Sequence, residues 1–135
     1  MSYIVRYQKF IDADRTVEIR LPEGEGTERI GSELATIGEV TYVSLPDGAV
    51  LPQQPVEITV EPVTLTPDLR EQICAASPLV RLISTNVVAM IRERYTVDDE
   101  IKLLRTAPSE DFDVYNEYVE ACRAWGRNQR MALGL

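Results

Sequence analysis

Histidine is absent from this chain of 135 residues, and with it go the commonest general base and the commonest transition-metal ligand. Ser/His/Asp and Cys/His catalysis within a single chain are excluded on that ground. Cysteine is nearly as scarce. Cys74 and Cys122 stand too far apart to form a CxxC redox or zinc pair, and neither has companions at metal-ligand spacing. Their low number and their place in helical patterns point to reduced, buried thiols made in a cytosol. Basic residues are in deficit, 14 Lys plus Arg against 22 Asp plus Glu for a formal charge of -8. That balance makes phosphate backbones and anionic membranes poor default partners. No apolar run approaches the roughly 18 to 20 residues of a membrane helix, and no basic segment followed by a short apolar core opens the chain. The sequence therefore reads as soluble and unexported by the standard route, with no nucleic acid and no membrane among its expected partners.

What is present is an ordinary globular composition, 44% apolar and 27% charged, enough for one respectable core or two small ones. The acidity sits mainly in the first half, where residues 1–65 carry 5 basic and 11 acidic side chains. Tyr3 to Ile11 is rich in β-branched and aromatic residues. Val17, Ile19 and Leu21 alternate with Thr16, Glu18 and Arg20, the period of a half-buried strand. Asp12 to Arg15 form a plausible hairpin connection. Pro22 to Gly31 reads as an exposed loop. A third strand fits Val40 to Leu45, followed by the turn signal Pro46, Asp47, Gly48. Pro52, Pro55 and Pro62 confine the next stretch to an edge strand or an extended linker, because proline cannot donate to a ladder.

After Leu65 helix-start signals appear four times in succession. Thr66 with Pro67, and Ser77 with Pro78, each offer a capping hydroxyl followed by proline at the first helical position. Thr96 with Asp99 resembles a capping box, with Asp in place of the usual Glu or Gln. Ser109 precedes Glu110 and Asp111, carboxylates that suit a helix N-terminus. These caps predict helices over 67–76, 78–95, 97–105 and 110–131. In the second, Leu79, Leu82, Ile83, Val87, Met90 and Ile91 follow helical spacing, and Val80 and Val88 widen the stripe beyond what one neighbour would cover. In the last, Phe112, Tyr115, Val119, Cys122 and Gly126 form a seam at alternating spacings of three and four, suited to helix packing or a short coiled coil. The expected fold class is α+β: a small N-terminal antiparallel β region with a Pro-rich linker over 1–65, then a helical bundle of three to four helices over 66–135.

Chemistry-bearing constellations are few. Gly24, Glu25 and Gly26 lack the further glycine and the lysine of a phosphate loop, and their acidic neighbours would repel phosphate. Asp98, Asp99 and Glu100 sit where a helix N-terminus attracts carboxylates without any cation. Arg92 and Arg94 with Arg81, and Arg123, Arg127 and Arg130, read as solvated faces balanced by acidic neighbours and the helix dipole. Tyr115, Tyr118 and Trp125 either complete the core of the single chain or face a partner, since aromatics dominate interface hot spots. No catalytic, cofactor-binding or metal-ligating residue is expected, and the chain reads as a non-enzyme.

The run from Ile91 to Arg105, IRERYTVDDEIKLLR, followed by Asp111 to Gly126, DFDVYNEYVEACRAWG, resembles the C-terminal helical segment of small tail-associated proteins of bacteriophages and prophages. The resemblance covers roughly the last half of the chain. It is carried by a tyrosine-ended helix, a short acidic-capped helix and an aromatic final helix, with no catalytic signature. It implies a virion component or assembly factor near the tail tip, baseplate or fibre attachment, assembled in the host cytoplasm and acting through contacts with other phage tail proteins. A structural or adaptor protein that forms a homo-oligomer is the leading expectation, with contacts through Leu82, Val87, Met90, Tyr118, Trp125 and Met131. The alternative is a tail assembly chaperone absent from the mature particle. A third, an enzyme or ligand-binding domain, would have to use carboxylates such as Asp98 and Glu100.

Overall fold

The computed structural model describes residues 2–23 and 30–135. The Gly24, Glu25, Gly26 run lies outside them. The described elements run β1 (Ser2–Gln8), β2 (Phe10–Asp12), β3 (Arg15–Thr16), β4 (Ser32–Ile37), β5 (Val40–Pro46), β6 (Glu61–Val63), α1 (Pro67–Ala76), α2 (Pro78–Arg94), α3 (Val97–Arg105) and α4 (Glu110–Ala132). The fold class is α+β, strands first and helices after, as composition and capping anticipate. The chain divides into two compact units, Met1–Arg81 with Met131–Leu135, and Leu82–Arg130. Leu65 marks the change from strands to helices. The compact units part later, at Arg81, because α1 packs on β4 and the last residues pack with it.

The first unit is built on an antiparallel sheet in the order β4-β5-β1-β6. Because side chains alternate across a strand, one face carries Tyr3, Val5 and Tyr7 of β1 with Val43 and Leu45 of β5, and it packs against Val17, Ile19, Leu21, Leu51, Ile58 and Val60. The other carries Ile4, Tyr42, Leu34 and Ala35 and packs against Leu69 and Ile73 of α1, with Leu79, Leu133 and Leu135. Both faces are therefore covered.

Several sequence expectations change in detail. The strand read from Tyr3 to Ile11 breaks at Lys9, and Phe10–Asp12 pairs instead with Arg15–Thr16 in a small separate hairpin, its turn held by the Asp14 amide donating to Asp12 Oδ1 at 2.9 Å. Val17 to Leu21 alternates in burial as predicted but is no ladder strand. Its Arg20 amide donates to Gln54 Oε1 at 2.7 Å, and Gln54 Nε2 donates to the Arg20 carbonyl at 2.8 Å, so one side-chain amide replaces a neighbouring strand. The proline-rich segment contributes the buried Ile58 and ends in β6, an edge strand on β1 that accommodates Pro62.

β4 is an additional strand, joined to β5 by a two-residue turn at Gly38 and Glu39. Gly38 sits at φ +63° in the first central position, where hairpins of the II′ type place glycine. The Pro46 turn closes with the Ala49 amide on the Pro46 carbonyl at 3.1 Å and Gly48 at φ +80°, the conformation glycine supplies in such turns.

All four helix starts use the hydroxyls predicted for them. Thr66 accepts from the Leu69 amide, Ser77 from Val80, Thr96 from Asp99 and Ser109 from Phe112. Ser77 is fully buried and also ends α1, its amide donating to the Ile73 carbonyl at 2.8 Å.

Candidate protein-binding surface

The second unit holds the rest of α2, all of α3 and most of α4. Its core is Ile91, Val119 and Cys122, with Val87, Met90, Tyr115 and Tyr118 packed around them. The seam predicted for α4 faces inward: Val119, Cys122 and Gly126 are buried. Gly126 is there for close approach, because a Cβ on it would stand 2.7 Å from Val87 Cγ2. The Tyr118 hydroxyl donates to the Met90 carbonyl at 2.6 Å, and Arg94 lies over the Tyr118 ring at 4.9 Å from its centroid. Tyr95 meets Tyr115 edge to face at 5.0 Å. Burial first, and the Glu100 carboxylate second, push the Tyr115 hydroxyl above its ordinary range.

The six residues expected to make partner contacts therefore separate. Val87, Met90 and Tyr118 pack on the unit's own core. Trp125 is half-buried. Leu82 is 55% exposed in this unit, and Met131, which belongs to the first unit, is 60% exposed.

Several members of the charged clusters are engaged locally. Arg92 bonds Glu100 at 2.9 Å and also donates to the Tyr95 carbonyl. Thr96 and Asp99 close a reciprocal capping box, the Thr96 amide donating to Asp99 Oδ2 at 2.9 Å. These backbone and hydroxyl contacts with Thr96 hold the Asp99 carboxyl below its ordinary range. Arg123 pairs with Glu120 at 3.2 Å, and with Arg127 and Arg130 it borders a shallow concavity floored by Ile83, Val87 and Gly126. Among the described residues no group of three potential metal ligands comes together, and no single helix is long and apolar enough to span a membrane. Both cysteines are free; Cys122 is buried in the core of the second unit and Cys74, in α1, is half-buried.

The surface feature that the caps and stripes did not announce is on α3. Val97, Ile101 and Leu104 are 54%, 44% and 62% exposed, and their spacing of four and three places them on one face. Leu103 and Glu100 are half-buried instead, and no residue of α3 is fully buried. The helix is thus amphipathic with its apolar side outward. The spacing was legible in the sequence; which side would turn inward was not, because Leu103 supplied a competing apolar position.

Together these features define an α+β protein of two compact units, the helical one bearing an exposed apolar helix face. No family model, curated protein or solved structure matches the chain.

Proposed function

We propose that this chain is a non-enzymatic structural or adaptor protein that acts by binding other protein chains, itself included. The observation that carries the reading is the outward apolar face of α3, Val97, Ile101 and Leu104, since clustered rather than scattered exposed apolar side chains mark sites of protein contact. Leu82 and Val88 on α2 add exposed apolar surface to the same unit. The resemblance of the last half of the chain to small phage tail proteins supplies the setting: a virion component at the tail, contacting other tail proteins.

Quantitative mass spectrometry of purified phage particles whose genome encodes this chain tests the setting. A fixed copy number per particle is expected. Presence in infected-cell lysate but absence from particles would replace the structural reading with that of an assembly chaperone.

A further inference from the structure

We infer that two copies of this chain pair through α3, the two helices antiparallel about a two-fold axis at Ile101. The proposal rests on the reading that the protein works through protein contacts and assigns one of those contacts to a second copy. The apolar face permits it: with Ile101 on the axis, Val97 of each copy lies beside Leu104 of the other, and all three exposed side chains are covered at once.

Charge selects this occupant. Asp98 and Arg105 are seven residues apart, so they lie within about 20° of one line along the helix, on one flank of the apolar face and at its opposite ends. Antiparallel pairing about Ile101 brings Asp98 of each copy against Arg105 of the other, giving two symmetric ion pairs. A parallel two-fold pairing would turn this flank toward the one that carries Glu100 and forfeit both ion pairs. Among the described residues neither side chain makes an ion pair within its own chain. On the other flank Glu100 would approach its own copy near the axis, but that carboxylate is already bonded to Arg92 at 2.9 Å. The contact is therefore self-complementary in charge as well as in apolar pattern, as a two-fold interface must be.

A helix of 9 residues offers a small interface, so association belongs at the weak end of specific contacts. Sedimentation equilibrium of the full chain over a wide concentration range reads it. Wild type is expected to pass from monomer to dimer, and Ile101→Asp to stay monomeric across the same range. Asp98→Arg and Arg105→Asp are each expected to weaken dimerisation by about tenfold or more, since each replaces two attractions by two repulsions, and the double variant D98R/R105D to restore it. Circular dichroism confirms that each variant keeps its helices. A wild-type chain that stays monomeric, a dimer indifferent to Ile101→Asp, or a double variant no better than the singles would each overturn the pairing. A monomeric chain found at fixed copy number in particles would sink this proposal and its self-association while leaving the reading as a structural tail component standing; a dimer with the expected variant pattern, absent from particles, would do the reverse.

Discussion

Gly126 has no side chain to contribute, and that is its contribution. Alanine would ordinarily favour a helix over glycine by about 1 kcal/mol, yet a Cβ here meets Val87 Cγ2 at 2.7 Å, and a β-branched side chain has little freedom to turn away. Overpacking costs about 1–3 kcal/mol, so Gly126→Ala is expected to lower stability by up to about 2 kcal/mol net, read as an earlier urea midpoint. A later midpoint would show that the two helices can part without cost. Asp99 gives a second test at this scale. Its folded carboxyl titrates below the ordinary value of 3.8 because the Thr96 amide and hydroxyl hold the charged form. A depressed acid contributes stability that is present above its unfolded pKa and lost as pH falls through its folded one. Exchange protection of the Thr96 amide should therefore hold at neutral pH and fall away below about pH 4, and Asp99→Ala should lack protection throughout. Capping of this kind was legible in advance because Thr96 and Asp99 are three residues apart and need nothing distant. Gly126 could be placed on the α4 seam by spacing alone, but its reason lies on Val87, 39 residues away in sequence, where local patterns do not reach.

Elements show the same division between what periodicity carries and what it leaves out. Alternation at Val17, Ile19 and Leu21 correctly gave their inward side, because burial follows side-chain direction. It could not give the ladder, which depends on whether another backbone lies alongside; here the Gln54 side chain does that work. Gln54→Ala is expected to cost about 1 kcal/mol and to speed hydrogen exchange at the Arg20 amide while leaving Val5 and Val43 of the sheet protected. Equal loss of protection at all three would mean that the segment is not separately held. β4 escaped the period-2 pattern for a physical reason: its register shifts between Glu33 and Ala35, so the adjacent Leu34 and Ala35 both reach the same core. The proline-punctuated stretch from Leu51 could be read as a tether, yet Leu51, Ile58 and Val60 pack on the sheet. The four helices stood out most clearly because each begins with a hydroxyl whose bond is local.

At the scale of the whole molecule, the first unit is discontinuous in sequence. Its second core includes Leu133 and Leu135, and the Ser44 hydroxyl, on the central strand β5, donates to the Leu133 carbonyl at 2.7 Å. Ser2 makes a similar bond to Ala132, and Gly134 turns the chain at φ +85° with its Cα against the Ser2 carbonyl region, where a Cβ would lie 3.1 Å from the oxygen. Removing residues 133–135 takes two half-buried leucines off the second core and one acceptor from the buried Ser44 hydroxyl. A loss of about 2–3 kcal/mol is expected, seen as a lower thermal midpoint, whereas an unchanged midpoint would show the tail to be ornamental. A division by composition at Leu65 could not foresee this, because five residues at the far end carry no β signature of their own. The arrangement also bears on how the protein is made. An N-terminal module usually folds on the ribosome while the remainder is still being synthesised. In this chain α1 covers most of the sheet's second face early, but Leu133 and Leu135 complete it only after the whole of the second unit has been made, so the first unit is begun before the second and finished after it.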